Sequence, residues 1–211
     1  MKIVDLSHEI NSGMPFFPGT EKPELEQVTS LVKDGFVEHR ATMLTHTGTH
    51  IDVPAHLVVG GLALDQMSVD NFIGKAAIID LTGIKKRAIG KETLRPFEGL
   101  ISKIEFLILK TGWEKYWGEQ GYFKGFPALD PGAAQWLGEF NLKGVGVDAI
   151  SIDPAGSKDY PIHHILFKNN MIVIENLANL DELGGGVFTF SCLPLKFENG
   201  DGSPVRAVGI L

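Results

Sequence analysis

The sequence is poor in the features that mark secreted and membrane-embedded proteins. Its 211 residues include one cysteine, Cys192, so an internal disulfide is excluded and a reducing compartment suits the chain. No apolar run approaches the about 18 residues of a membrane-spanning helix, and the apolar stretch behind Met1 is too short for a signal peptide. These absences predict a soluble, cytoplasmic protein without a membrane partner.

Positive charge is scarce as well. The formal net charge is −7, and the only dense basic run, Lys85-Lys86-Arg87, is typical of a turn between two elements. This balance argues against the binding of nucleic acid as the main function. The length and the ordinary hydrophobic fraction of 44% suit one domain over residues 1–211. A small molecule is therefore the expected binding partner.

Short apolar runs separated by turn residues predict a single strand-rich domain of mixed α and β structure, in the α/β class. Strands are predicted over residues 2–6, 25–32, 36–44, 75–81, 104–110, 144–150, 171–175, 187–197 and 205–211. Residues 33–35 are predicted to form the turn of a hairpin, and helices are predicted over residues 91–96, 131–140 and 162–168. Asp130 and Pro131 favour a helix start, because Asp caps N-termini and Pro fits the first helical position.

Candidate metal-binding side chains are concentrated in the segment from Thr45 to His56. In an extended chain alternate residues share a face, so His46, His50 and Asp52 would point the same way. Imidazole and carboxylate are ligands that zinc, manganese and iron prefer. A straight strand would separate the Cα atoms of His46 and His50 by about 13 Å, so we expect a bend at Gly48 that brings them together.

The segment continues into a loop at Pro54, which cannot take part in a strand ladder. His56 is therefore expected near the site but off the strand. A second region could complete the site, because His163 and His164 open a predicted helix and Glu175 ends an apolar strand. Taken alone, Glu175 fits a rim position as well as a ligand position, and His163 fits the start of a helix somewhat better than a ligand position.

The pattern His46-Thr-Gly-Thr-His50-Ile-Asp52-Val-Pro54-Ala-His56 resembles the His-x-Gly-Thr/Ala-His-x-Asp-x-Pro-x-His signature of the metal-dependent cyclase family. That family includes bacterial kynurenine formamidase (arylformamidase) and isatin hydrolase. The resemblance covers most of the chain. It extends to Asp5-Leu6-Ser7, Phe17-Pro18-Gly19, Ser151-Ile-Asp153-Pro154, Ser157-Lys158, His163-His164, Glu175 and Ser203-Pro204-Val205-Arg206-Ala207-Val208.

The resemblance implies a fold of the swivelling β/β/α-like type and two divalent metal ions per subunit, zinc or else manganese. By position, His46, His50 and Asp52 would bind one ion, and Asp52, His163 and Glu175 the second. His164 is the fallback ligand if the helix register is off by one. His56 would be the catalytic acid/base, and Phe17 would contact the substrate where the formamidases carry a tryptophan. A homodimer or a larger homo-oligomer is implied too.

The implied reaction is hydrolysis of an amide C–N bond, as in the conversion of N-formylkynurenine to kynurenine and formate in tryptophan catabolism. Two alternatives remain open: ring opening of a cyclic amide such as isatin, and a metal-binding module without turnover. A serine triad is disfavoured because no Gly-x-Ser-x-Gly elbow occurs. The aromatic residues Trp113, Tyr116, Trp117, Tyr122 and Phe123 suit an interface and a core-facing loop equally well.

Overall fold

One mixed sheet of nine strands organises the computed structural model, which describes residues 1–84 and 86–211. Lys85, in the basic run predicted as a turn, lies outside the described residues. The strands of the described part are Ile3–Asp5 (β1), Glu24–Gln27 (β2), His39–Thr42 (β3), His50–Asp52 (β4), Ile73–Asp80 (β5), Ala88–Ile89 (β6), Phe106–Lys110 (β7), Ala128–Leu129 (β8), Gly144–Val147 (β9), Ile172–Glu175 (β10), Val187–Ser191 (β11), Gly202–Pro204 (β12) and Val208–Ile210 (β13).

The helices are short and lie between the strands. The α-helices of the described residues are Leu31–Asp34 (α1), Lys91–Leu94 (α2), Glu98–Ile101 (α3), Pro131–Leu137 (α4) and Pro161–Lys168 (α5). Single turns of 3₁₀ helix occupy Pro54–His56, Leu64–Gln66, Val69–Phe72, Arg95–Phe97, Trp113–Tyr116, Gln120–Phe123 and Leu180–Leu183. None of the helices in the described part of the chain has the length and apolar character that crossing a bilayer requires.

The large sheet has the strand order β1-β13-β11-β5-β7-β9-β10-β4-β12. Its four central strands, β5, β7, β9 and β10, are parallel, and the flanking strands on both sides are antiparallel. The predicted order of strand, helix and strand over residues 104–150 forms a parallel crossover, because β7 and β9 are parallel neighbours joined through α4. The predicted mixed α/β class is confirmed as well.

Two apolar layers cover the faces of the sheet, and strand alternation divides the side chains between them. Ile51 of β4 and Ile174 of β10 pack into one layer with Phe106 and Phe190, whose ring centroids lie 5.3 Å apart. Val173, between Ile172 and Ile174, points into the other layer, which the helices α4 and α5 complete. Each fully buried side chain of this size contributes roughly 1.5–3 kcal/mol. Burial on both faces of the sheet therefore fixes which side chains point to each side.

Helix α4 begins where the sequence predicts. The carboxylate of Asp130 accepts a hydrogen bond from the backbone N–H of Ala133 at 2.7 Å, and Pro131 occupies the first turn. A cap of this kind contributes about 0.5–2 kcal/mol. The helix ends at Leu137, three residues before the predicted end. Helix α5 ends at Lys168, as predicted, before the pair Asn169-Asn170, and Asn170 has a φ of 56°.

The predicted hairpin exists, but its connection differs. β2 and β3 pair antiparallel, as predicted, and both are shorter than expected. The tight turn predicted over residues 33–35 is wrong, because Leu31–Asp34 forms one helical turn. The backbone N–H of Ser30 donates to the Asp34 carboxylate at 2.8 Å, and Gly35 ends the turn with a φ of 78°. Local hydrogen bonding by Asp34 explains the difference.

The C-terminal strands are also divided differently from the prediction. The strand predicted over residues 187–197 ends at Ser191, and Pro194, which has no N–H to donate, follows soon after. The strand predicted over residues 205–211 is β13, and the separate strand β12 precedes it. Strand β12 pairs with β4, which carries the candidate ligands His50 and Asp52.

The aromatic segment after β7 packs against the core, as the core-facing interpretation predicts. Tyr122 is fully buried, and its hydroxyl donates to the Asn176 side chain at 2.6 Å. The indole N–H of Trp113 donates to the backbone carbonyl of Tyr122 at 2.8 Å. The remaining members, Tyr116, Trp117 and Phe123, are partly buried against the same apolar layer.

Candidate metal centre

The backbone before β4 folds so that two histidines approach one aspartate. Gly48 has a φ of 66°, which confirms the predicted bend. The strand itself starts only at His50, so the prediction of an extended face beginning at His46 is wrong. The turn brings Nδ1 of His46 to 2.5 Å from Oδ1 of Asp52, and Nε2 of His50 lies 3.2 Å from the same oxygen.

The register of β10 against β4 adds a second carboxylate. Glu175 lies directly opposite His50 in the antiparallel pair, and its Oε2 is 3.6 Å from Nε2 of His50. From α5, Nε2 of His163 lies 3.1 Å from Oδ2 of Asp52 and 3.3 Å from Oε1 of Glu175. The structure therefore brings His163, and not the half-buried His164, to the carboxylates.

Hydrogen bonds behind these side chains fix their orientation. Nδ1 of His50 lies 2.8 Å from the backbone carbonyl of Gly48, so this ring donates from Nδ1. Nδ1 of His163 lies 2.6 Å from the Asp153 carboxylate, which also accepts from the backbone N–H of Ile162 at 2.9 Å. Both rings therefore turn Nε2 toward the centre. Partners of this kind orient metal-binding histidines.

The charges of the centre favour a cation. Burial alone would raise the pKa of Asp52, but the neighbouring His50 and His46 outweigh it and hold the pKa well below its usual range. Burial would lower the pKa of His46, yet the carboxylates of Asp52 and Asp201 raise it to about 9. Burial would likewise lower the pKa of His163, and the carboxylates of Asp153 and Asp52 raise it well above its usual range. The buried carboxylates of Asp52 and Asp153 thus favour positive charge on the neighbouring imidazoles.

The donor atoms fit a divalent metal ion. Ligand atoms of His46, His50 and Asp52 lie within 4.8 Å of one another, and so do those of Asp52, His163 and Glu175. Imidazole nitrogens combined with carboxylate oxygens form the donor set of many zinc, manganese and iron sites. A divalent ion would supply the positive charge that the buried carboxylates require, and the imidazoles could then be neutral ligands.

His56 lies at the edge of the centre, in the 3₁₀ turn that begins at Pro54. Its ring centroid is 4.0 Å from that of His46 and 6.3 Å from that of His163. The expectation that His56 lies close to the site and off the strand is confirmed. Burial lowers the pKa of His56 below its usual value, and the Asp52 carboxylate offsets this only in part.

Asp201 is a member of the site that the sequence reasoning missed. Its Oδ2 lies 2.9 Å from Nε2 of His46 and 3.4 Å from Nδ1 of His56, and its Oδ1 accepts from the hydroxyl of Thr45 at 2.9 Å. His46, His56 and Asp201 form a third group with ligand-like spacing. Asp201 falls between the strands predicted over residues 187–197 and 205–211, and local sequence assigned it no role because the pairing of β12 with β4 spans about 150 residues of chain.

Gly202, the residue after Asp201, leaves space for the imidazole of His46. Gly202 lies opposite Asp52 in the β12–β4 pair. A Cβ atom there would lie 2.6 Å from Cε1 of His46 and 2.7 Å from the backbone oxygen of Ile51, which is closer than real contacts allow. The imidazole of His46 therefore packs directly against bare backbone.

A cavity of about 270 Å³ opens above the carboxylates and histidines. Apolar side chains form much of its wall, including Phe16, Phe17, Leu44 and Ile150, and Tyr160 lies beside them. Phe17, predicted to contact the substrate, is a partly exposed member of this wall. Cys192 is buried in the opposite apolar layer, where burial raises the pKa of its thiol.

Comparison with known proteins agrees with this geometry. The sequence model of the family described as "putative cyclase" matches residues 4–154. A kynurenine formamidase of Bacillus cereus is 34% identical over 210 residues, covering 97% of this chain and 95% of the relative.

Solved structures share the fold. An isatin hydrolase bound to the product analogue thioisatinate superposes with a TM-score of 0.90 at 24% identity, over 100% of this chain and 92% of that one. A potential metal-dependent hydrolase with cyclase activity has a TM-score of 0.82 at 28% identity, over 99% and 96% of the two chains.

Proposed function

The chain belongs to the cyclase family, and from this premise we propose that it is a metal-dependent hydrolase that cleaves an amide C–N bond. The observation that supports this most strongly is the convergence of three histidines and Glu175 on the shared carboxylate of Asp52, at the floor of an apolar cavity. A module that only stored a metal would not need such a cavity.

We propose that His46, His50 and Asp52 hold one divalent ion and that Asp52, His163 and Glu175 hold a second, with Asp52 shared. Zinc suits the imidazole-rich donor set best, and manganese is the second choice. When bound, a divalent ion polarises a carbonyl oxygen and lowers the pKa of water toward neutrality.

His56 is proposed as the proton carrier. Its lowered pKa leaves the ring neutral near pH 7, so it can accept a proton from the attacking water. The water oxygen first adds to the carbonyl carbon as His56 takes the proton, and the C–N bond then breaks as His56 delivers that proton to the leaving nitrogen. Asp201 is close enough to Nδ1 of His56 to hold the ring by a hydrogen bond, which would leave Nε2 for the substrate.

The proposed substrates are N-formyl arylamines, with N-formylkynurenine as the leading candidate. Phe16 and Phe17 give the cavity an aromatic wall that suits an aryl ring, and we propose that Phe17 contacts it. The similarity to a kynurenine formamidase over almost the whole chain supports the same choice. Ring opening of a cyclic amide such as isatin is the second candidate, since an isatin hydrolase shares the fold.

A substrate panel tests the proposal. The purified protein is stripped with chelator, reloaded with zinc or manganese, and assayed with N-formylkynurenine, formanilide and isatin. We expect metal-dependent release of formate from the formyl arylamines, with N-formylkynurenine turned over fastest. Preference for isatin would select the ring-opening alternative. Metal binding without turnover of any of the three compounds would refute the proposed reaction.

A further inference from the structure

A second cavity, of about 350 Å³, adjoins the cavity above the carboxylates and histidines. Four residues line both cavities, namely Phe17, Ile150, Ser151 and Tyr160. The first cavity alone is slightly smaller than the about 300–1,000 Å³ typical of ligand pockets, and the two together lie within that range. A ligand bound in the first cavity can therefore extend a substituent into the second.

The wall of the second cavity combines aromatic and polar residues. Phe123 and Phe126 belong to the aromatic segment that packs against the core. The polar part is a turn of the chain after β9, in which the backbone N–H of Ser157 donates to the carbonyl of Pro154 at 3.0 Å. This turn places the half-buried Ser157 and the exposed Lys158 next to each other on the cavity wall.

The charge of Lys158 has no counterpart in the second cavity. Among the described residues that line the two cavities, Lys158 is the only lysine or arginine, and it forms no ion pair within the described chain. Asp153 is the one carboxylate that the described part of the chain contributes to this wall, and it is already occupied. It accepts from the backbone N–H of Ile162 at 2.9 Å and lies 2.6 Å from Nδ1 of His163. An anionic group of a ligand would therefore be the partner of Lys158.

We propose that the second cavity binds a carboxylate-bearing side chain of the substrate, with the ammonium group of Lys158 as its ion partner and the hydroxyl of Ser157 as a second donor. The inference rests on the proposed function, because that function places the formyl amide at the metal ligands and the aryl ring against Phe17. A side chain on the neighbouring ring position then enters the second cavity. Lys158 would thereby select formyl arylamines with an acidic side chain over unsubstituted ones.

The contact with Lys158 should act on substrate binding and not on the chemical step. The side-chain carboxylate lies at the end of the substrate away from the amide, and its charge does not change during hydrolysis. An interaction that is equally strong in the ground state and the transition state changes KM and leaves kcat as it is. Loss of a hydrogen bond to a charged group corresponds to a factor of about ten or more in binding.

Three variants of the metal-loaded protein test the proposal with two substrates. Lys158→Gln removes the charge, Lys158→Arg keeps it, and Lys168→Gln makes the same change in charge at an exposed lysine outside both cavities. The substrates are N-formylkynurenine and ortho-formamidoacetophenone, which keeps the ring, the ketone and the formyl amide but has no carboxylate. Lys158→Gln should raise KM for N-formylkynurenine about tenfold and leave KM for the neutral analogue and both kcat values unchanged. Lys158→Arg and Lys168→Gln should behave like the parent. An equal rise in KM for both substrates, or no rise for N-formylkynurenine, would overturn the proposal.

A binding measurement separates this inference from the proposed reaction. Benzoylpropionate carries an aryl ring, a ketone and a carboxylate but no amide to hydrolyse, and its methyl ester lacks the charge. Calorimetry should show that the metal-loaded parent binds the acid about tenfold more tightly than the ester, and that salt weakens this preference and Lys158→Gln abolishes it. If the preference is found and no formyl arylamine is turned over, the carboxylate site stands and the proposed reaction is wrong. If formyl arylamines are hydrolysed but the preference is absent, or persists in Lys158→Gln, the reaction stands and this inference is wrong.

Discussion

The candidate metal centre has two halves that differ in burial and in how their side chains are held. The inner half consists of His50, Asp52, His163 and Glu175, and the rim consists of His46, His56 and Asp201. The exposed side-chain fraction is 2% for Asp52 and 4% for His163, against 31% for His56 and 42% for Asp201.

The two halves also differ in the groups that hold their side chains in place. Backbone groups and a buried carboxylate hold the inner half: Glu175 accepts from the backbone N–H of Ile152 at 2.8 Å, and Asp153 holds His163. The rim residues are linked through Asp201, and His46 alone of them also contacts the inner half, through Asp52. A buried, rigid set suits the holding of an ion, and a half-exposed set suits proton transfer and the entry of substrate.

The strongest test of the difference removes an inner residue. His163→Ala should lose the ion proposed for Asp52, His163 and Glu175, and more activity than the about 10²–10⁴-fold typical of a lost proton carrier. The matched control is His164→Ala, which changes the adjacent histidine outside the group and should keep both metal and activity. Elemental analysis and kcat are measured on each. Equal metal content in the two variants would end the distinction between inner half and rim.

Among the rim residues, His56 should affect rate and not the binding of metal. His56→Ala is expected to lower kcat by about 10²–10⁴-fold, because the leaving nitrogen stays unprotonated. A substrate with a much better leaving group should recover part of the loss, since it needs less protonation. Near-normal kcat with formanilide would mean that another group carries the proton.

Substitution of Asp153, which orients His163 of the inner half, should have a smaller effect on metal binding. Asp153→Asn removes the charge that orients His163, and the affinity for metal should fall by about 10–100-fold. Asp159→Asn, at an exposed position six residues away, is the control. Metal affinity is measured by competition with a chelator. An unchanged affinity in Asp153→Asn would show that α5 alone fixes the ring.

Substitution of Asp201, which orients His56, should have the smallest effect on kcat. Asp201→Asn keeps the shape of the side chain but weakens the hydrogen bond to Nδ1 of His56, so kcat should fall by about three- to tenfold. KM and metal content should stay at the parent values. A parallel loss of metal would instead place Asp201 with the inner half.

The sequence predicted those parts of the site and the fold that depend on nearby residues. The Asp130 cap, the bend at Gly48 and the loop position of His56 follow from local propensity and backbone geometry. The helical turn at Leu31 was missed because Asp34 satisfies backbone groups in a way that an alternation pattern does not reveal. Asp201 was missed because only the long-range pairing of β12 with β4 brings it to His46.

The metal content of His56→Ala, determined beside that of His163→Ala, tests the central claim most directly. Both proteins are loaded with zinc, freed of excess metal and analysed for metal per chain on the samples used for kcat. The division into inner half and rim predicts parental stoichiometry in His56→Ala and a large loss in His163→Ala. If His56→Ala loses metal in parallel with activity, His56 is a ligand and the division is wrong.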